Sequence, residues 1–396
     1  MRFPRLPRTV WMLGLVSLFM DMSSEFIHAV LPVYLTTTLG LSVLAVGIVE
    51  GIAEATASIM KVFSGVISDR FRKRKALVLT GYGLAALTKP VFPLANTALE
   101  VVTARFVDRI GKGIRGAPRD ALMADVTPPA LLNTAYGIRQ SLDTVGAFAG
   151  PLLAMLMLYW YSHDLRLVMW VAVIPALACV GLILWGVREP DGIGEGNSKP
   201  RLHWRDARKL PFTYWLLLVL TGVVTLARMT DALLVLRAQE NGLQLVWIPL
   251  VLVVYSAVYA VSVWPVGVLA ERIGQRGLLL VGMACLAISQ WSLAEAATTG
   301  ALFWLGISLW GLHMGLTQGL LAARVAQLAP GELRGTSFGL FHLTIGVMQL
   351  LAGVGFGWLW VAFSAGTAFQ VAAVVSLASL PLLWMAWSPQ EVKPAA

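Results

Sequence analysis

Apolar stretches, each long enough to reach the roughly 20 residues that a helix needs to cross a bilayer, follow one another along almost the whole chain. Only short polar turns separate them. The pattern predicts helices over 9–36, 42–68, 76–95, 98–121, 132–159, 166–187, 212–237, 244–270, 277–296, 299–325, 335–360 and 364–387. The longest interruption, 188–211, is rich in Gly, Pro and charge. It divides the chain into an N-terminal six-helix unit, 1–187, and a C-terminal one, 212–396.

The two units repeat each other. Gly40-Leu41 recurs as Gly242-Leu243, Gly65 as Gly267, and Asp69-Arg70 as Glu271-Arg272. Arg74 recurs as Arg276, Pro128 as Pro330 and Gly137 as Gly339, always 202 residues later. A constant offset across several loops and helices points to two related halves of parallel topology. That is a transporter architecture, with the solute site between the halves near the bilayer midplane.

Composition agrees with lipid as the solvent. Charged residues make up 13% of the chain, against about 25% in soluble proteins. Arg2, Arg5 and Arg8 before the apolar run from Val10 imitate a signal peptide. The apolar stretch continues past Asp21 to Leu35, however, which predicts a retained first helix. The net charge of +9 is placed by topology rather than aimed at nucleic acid. Lys and Arg cluster before the first helix, at Arg70 to Lys75, between Arg188 and Lys209, and at Arg272 and Arg276. The opposite side has little beyond Arg166 and Arg237. Positive loops stay in the cytoplasm, so both termini are expected there.

The loop after predicted helix 2 reads Gly65-Val-Ile-Ser-Asp69-Arg70-Phe-Arg72-Lys73-Arg74-Lys75, and Gly267 to Arg276 is a weaker copy. This resembles the signature loop of the major facilitator superfamily, although Arg72 stands where that family has Gly. The resemblance implies twelve transmembrane helices in two pseudo-symmetric six-helix bundles and a monomer in a bacterial inner membrane. It also implies a gate: Asp69, disfavoured by its own helix dipole, would seek the start of predicted helix 11 near Arg334 and Gly335. Glu271 would face the start of predicted helix 5. Gly65, Asp69, Arg70, Arg74, Arg119, Asp120, Glu271 and Arg272 are the gating candidates.

Predicted helix 5 carries Gly137, Gly146, Gly150-Pro151 and Ala154. This resembles the motif associated with proton-coupled antiporters of the same superfamily, drug exporters especially. Its final pair is Ala154-Met155 rather than Gly-Gly. The glycines thin one face for close packing, and Pro151 leaves a carbonyl without its helical partner.

Predicted helix 4 places Arg105, Asp108, Arg109, Lys112 and Arg115 at spacings of three and four, a charged stripe inside an apolar segment. Such charges face a water-filled cavity or one another. Burial favours the protonated carboxyl and a nearby arginine opposes it, which makes Asp21, Glu25, Glu54, Asp108 and Asp143 proton-coupling candidates. His28, Arg105, Arg109, Lys112, Arg139, Arg228 and Asp231 are the substrate-cavity candidates. His313 and His342 read as packing hydrogen-bonders. Trp247, Trp264, Trp310 and Trp358 read as lipid or core contacts. The second half looks more apolar, so it is expected to supply shape and apolar contact.

No phosphate-cradling Gly loop, metal-ligand cluster, nucleophile–base pair or His-Glu-x-x-His is visible, and Cys179 and Cys285 read as small buried hydrophobes. The chain is therefore read as a non-enzyme without cofactor or metal. Its partners are a small-molecule solute, protons and membrane lipids. The leading reading is proton-coupled efflux by alternating access. The alternatives are a proton-coupled importer or facilitator of an organic anion, and a non-transporting membrane sensor.

Overall fold

The computed structural model describes residues 6–71, 74–128, 131–161, 164–189, 208, 210–329 and 333–386. Every element among the described residues is helical. The N-terminal elements are α1 (Arg8–Val33), which runs on through a π-helical turn at Tyr34–Thr38, then α2 (Val43–Phe71), α3 (Arg74–Thr88) and α4 (Val91–Leu94). They continue with α5 (Ala98–Val126), α6 (Leu132–Trp160), α7 (Leu165–Trp170) and α8 (Val173–Gly186). After the linker come α9 (Phe212–Ala227), α10 (Asp231–Glu240), a 3-10 turn at Leu245–Trp247 and α11 (Leu250–Ile273). The chain ends with α12 (Gln275–Glu295), α13 (Ala301–Leu328), α14 (Arg334–Ala362) and α15 (Ala365–Ala386).

Each predicted segment coincides with one helix or with two in line. Ten stretches, of 20 to 31 residues, are long and apolar enough to cross a membrane. α5 and α13 match them in length, at 29 and 28 residues. The charges of α5 and the His313, Gln318 and Arg324 of α13 lower their hydropathy. Large apolar side chains such as Ile174, Trp185 and Phe212 are exposed on the outer surface, as a lipid solvent allows.

The breaks within segments have local causes. Pro90 separates α3 from α4, since proline offers no N–H. The break between α9 and α10 has no Pro or Gly. There Arg228 (ψ 108°) and Thr230 (ψ 146°) leave the helical region. The buried Gln290 amide donates to the Ala227 carbonyl at 2.8 Å and accepts from Ser376 Oγ at 2.7 Å, so the freed acceptor is satisfied. α5 opens with a capping box, in which the Glu100 N–H donates to Thr97 Oγ1 and the Glu100 carboxylate accepts from the Thr97 N–H.

The repeat extends to backbone conformation. Gly40 and Gly242, which share the 202-residue offset, both sit at positive φ, +67° and +83°. A side chain at either position would be strained. Arg74 and Arg276 also behave alike. Arg74 ties the start of α3 to Asp125 and the Ala121 carbonyl of α5. Arg276 ties the start of α12 to the Trp384 carbonyl (2.6 Å) and its ring (3.5 Å) in α15. Arg166 and Arg237 brace helix ends: Arg166 donates to the Ala95 carbonyl, and Arg237 to the Leu293, Ala294 and Ala296 carbonyls.

Close packing joins the elements around the site. α2 and α14 lie backbone to backbone: a Cβ on Gly47 would strike the Gly353 carbonyl, and one on Gly353 the Gly47 carbonyl. Gly51 meets Leu350, Gly346 meets Ala55 and Ser58, and Gly357 meets Leu44 along the same seam. α6 lies equally close to α1. A Cβ on Gly150 would come 2.6 Å from the Met22 carbonyl oxygen, and Gly146 abuts Leu18. Around Gly137 there is open space within 4 Å. Two glycines of the predicted motif therefore serve α1–α6 contact and the third does not.

Candidate functional site

A cavity of about 250 Å³ lies where α1, α2, α5 and α6 meet α11, α13, α14 and the α9–α10 break. Its first-half wall is built from charges at helical spacing. On α2, Glu50 and Glu54 share a face, and so do Arg105 and Arg109 on α5. The two helices run in register: Arg105 Nη2 donates to Glu50 at 2.6 Å and Arg109 Nη1 to Glu54 at 3.0 Å. Both arginines are almost fully buried, at 1% and 2% exposure. Glycines bring the helices this close, with Gly113 against Ala57 and Met60 of α2, and Gly111 against Gly81 of α3.

Behind this wall Asp108 is 2% exposed. It accepts from Lys89 Nζ at 2.9 Å and stands 3.4 Å from Arg109, while Lys89 also donates to Ser24. On α1, Glu25 lies 3.2 Å from His28 Nδ1, and the other ring nitrogen lies 3.9 Å from Glu50. Buried pairs of this kind fix geometry more than they add stability, and losing one partner strands the other.

The sequence-predicted residues fall into three groups. Glu25, His28, Glu54, Arg109, Lys112, Arg228 and Asp231 line the cavity, together with Glu50. Arg105 and Asp108 stand behind it as ion-pair partners. Asp21, Asp143, Arg139, Arg115, Arg119 and Asp120 form a separate cluster of α1, α5 and α6. There the Asp21 and Asp143 carboxyl groups adjoin each other. Arg115 is 3.9 Å from Asp21 and stacks on Tyr82. Arg139 is 3.5 Å from Asp143 and 3.8 Å from Asp120. Arg119 reaches Asp120, Ser17 and Tyr82.

Of the gating candidates, Arg74, Arg119 and Asp120 make all these contacts within the first half, and Arg272 is exposed. Gly65, Asp69, Arg70 and Glu271, with the expected partners Arg334 and Gly335, lie outside the residues whose side chains are described. Trp264 does as well. Trp310 is fully buried, and Trp247 and Trp358 are exposed. His313 Nδ1 bonds the Gly282 carbonyl of α12 at 2.9 Å, and His342 packs on Phe338 and Phe341.

One expectation needs correction. The second half does not present a mainly apolar face. Alongside Arg228 and Asp231 it offers Thr230, Tyr255, Ser256, Tyr259, Gln318 and Gln349 to the cavity. Asp231 accepts from Tyr255 Oη at 3.1 Å, and Arg228 Nη1 rests 2.9 Å from Met314 Sδ. These residues escaped the sequence reading because each is a single polar group in an apolar helix. Gln318 and Gln349 inside spans were the available signal. On the first-half side Ala147 also lines the cavity. Its carbonyl is the one that Pro151, lacking an N–H, leaves without a helical donor.

Comparison with known proteins gives one family. A model described as Major Facilitator Superfamily matches residues 13–353. An uncharacterised MFS-type transporter of Methanocaldococcus jannaschii is 30% identical over 361 residues, covering 90% of this chain and 89% of the relative. The multidrug resistance protein MdtH of Enterobacter sp. (strain 638) is 23% identical, covering 89% of this chain and 88% of its own length. Among solved structures, the nucleoside transporter NupG superposes with a TM-score of 0.82 at 12% identity, covering 96% of this chain and all of that one. A D-xylose–proton symporter gives 0.75 at 15%, covering 95% and 97%.

Proposed function

We propose that this chain, which belongs to the Major Facilitator Superfamily, exports a small organic solute across a bacterial inner membrane by proton-coupled alternating access. Counting α5 and α13 as spans gives twelve, with both termini cytoplasmic. Residues 1–187 and 212–396 are then the two bundles and 188–211 their cytoplasmic linker. The observation that carries the reading is the cavity itself. It lies between the two repeats and draws charged and hydrogen-bonding side chains from both.

The Gly-Pro motif of α6 and the 23% identity to a multidrug resistance protein support the outward direction. Proton coupling rests on carboxyl groups in two places, Glu25 and Glu54 in the cavity and Asp21 with Asp143 beside it. In this scheme the protein works as a monomer, with lipid around it and no cofactor.

The test uses inside-out vesicles carrying the full chain. Growth protection across a compound panel identifies a solute, and an imposed pH gradient is then applied with Asp21, Glu25, Glu54, Asp108 and Asp143 each changed to the amide. Gradient-driven uptake into these vesicles is expected, lost in at least one variant. Absence of gradient-driven flux for a solute that the cells do export would rule out proton coupling. Full coupling in all five variants would rule out these carriers. The second reading, a proton-coupled importer or facilitator of an organic anion, is favoured by the cavity cations. Flux in the opposite direction would select it.

A further inference from the structure

The charged stripe of α5 is mostly spent on internal pairs. Glu50 takes Arg105, Glu54 and Asp108 take Arg109, and Asp108 also takes Lys89. Lys112, which lines the cavity, is left over. Among the described residues no carboxylate comes within 4.0 Å of its Nζ. The second half supplies a matching group. Arg228 lines the same cavity, and among the described residues no carboxylate lies within 4.0 Å of its guanidinium, which rests on the Met314 sulfur.

The surroundings of Arg228 favour negative charge for a separate reason. Arg228, Met229 and Thr230 form the break before α10, and all three line the cavity. The first turn of a helix has N–H groups without intrahelical acceptors and carries the positive end of the dipole. Thr230, the N-cap, makes no capping bond, and its buried Oγ1 has no hydrogen-bond partner among the described residues. Asp231 stands in the same first turn and keeps its charge when Tyr255 donates to it, but its carboxylate lies more than 4.0 Å from the Arg228 guanidinium, so a closer oxyanion would compete with it for Arg228.

We propose that the solute carries an oxyanion, a carboxylate, phosphate or sulfonate, held between Lys112 of the first half and Arg228 with Thr230 of the second. Taking one anchor from each half couples solute binding to the relative position of the halves, which a site in one bundle would not do. The cavity of about 250 Å³ lies below the ~300–1,000 Å³ of drug-sized pockets, so the solute is small. Tyr259, Gln318 and Gln349 offer neutral hydrogen bonds to the rest of it. The assignment rests on the transporter reading above and specifies its substrate class.

Thermal unfolding of the purified full chain in nanodiscs tests it. The probes are inorganic phosphate and matched sets on one carbon skeleton: benzoate, benzamide and benzylamine; phenylacetate with its amide and amine; phenyl phosphate and benzenesulfonate. Stabilisation by oxyanions and not by their amide or amine partners is expected. The phosphate, sulfonate and carboxylate arms then separate the oxyanion types. Lys112→Gln and Arg228→Gln are each expected to raise the half-saturating concentration about tenfold or more, and Lys112→Arg to keep binding, which guards against a folding artefact. Preferential stabilisation by a neutral or amine member, no stabilisation by any member, or unchanged oxyanion binding in the double Gln variant overturns the proposal. None of these outcomes touches gradient-driven transport, which is read separately in vesicles.

Discussion

Arg105 is 1% exposed with its guanidinium 2.6 Å from Glu50, itself 2% exposed, so removing either leaves the other buried without its ion-pair partner. Arg105→Gln should therefore destabilise the protein by about 3–5 kcal/mol, and Glu50→Gln with Arg105→Gln should recover much of that loss. Thermal unfolding of the two single variants and the double variant measures the coupling. An Arg105→Gln protein that unfolds like the wild type would show that the pair is not held in the folded state. Asp108→Asn should behave similarly, because it strands Lys89. The α5 side of this network was legible in the sequence, since charges three and four apart in an apolar helix must share a face. Its partners were not. Glu50 and Glu54 also share a face, but nothing in one chain says which helix lies opposite. Lys112, which among the described residues has no carboxylate within 4.0 Å, became distinguishable from Arg105 and Arg109 only once those partners were placed.

Glycine does different work in different helices. On α2 and α14, Gly47 and Gly353 each leave room for the other's carbonyl. Gly47→Ala and Gly353→Ala should each cost about 1–3 kcal/mol through overpacking and slow solute flux, because this seam joins the halves. Gly137, with open space around it, should accept Ala without loss, and helix propensity predicts a gain of up to about 1 kcal/mol. Unfolding temperatures and flux of the three variants decide this, and a Gly137→Ala protein less stable than Gly47→Ala would reverse the assignment. The twelve segments were readable because apolar length is a strong signal. The α9–α10 break was not, since it depends on Gln290 and Ser376 arriving from two distant helices. The α2–α14 seam was missed for the same reason. Its glycines are spread over two helices about 300 residues apart in sequence, and small residues reveal a contact only when the opposing face is known.

At the scale of the molecule, alternating access requires contacts between the halves at one end of the cavity to part in each cycle. A side-chain hydrogen bond links the two halves near the ends of α1 and α10. Thr36, in the π-helical turn that follows α1, reaches Gln239 near the end of α10 at 3.5 Å. The turn is held on its own side by Tyr34, which donates to the Ala95 carbonyl and accepts from Arg166. α10 is held by Arg237 and Asn241, which both donate to the Ala296 carbonyl just after α12. Both sides are thus braced within their own half, and Thr36–Gln239 joins the two halves. The paired positive-φ glycines, Gly40 and Gly242, follow just beyond, at the same place in each repeat. Joining the two positions should therefore stop the cycle without disturbing either half. In a Thr36→Cys, Gln239→Cys protein, a short thiol-reactive cross-linker such as dibromobimane should abolish flux in vesicles, while either single-cysteine variant treated in the same way keeps it. Cys179 is buried and Cys285 partly buried, so replacing both with Ser or Ala removes background labelling at small cost. Undiminished flux in the cross-linked double variant would mean that this end of the cavity does not open during transport, and the access path would have to be sought elsewhere.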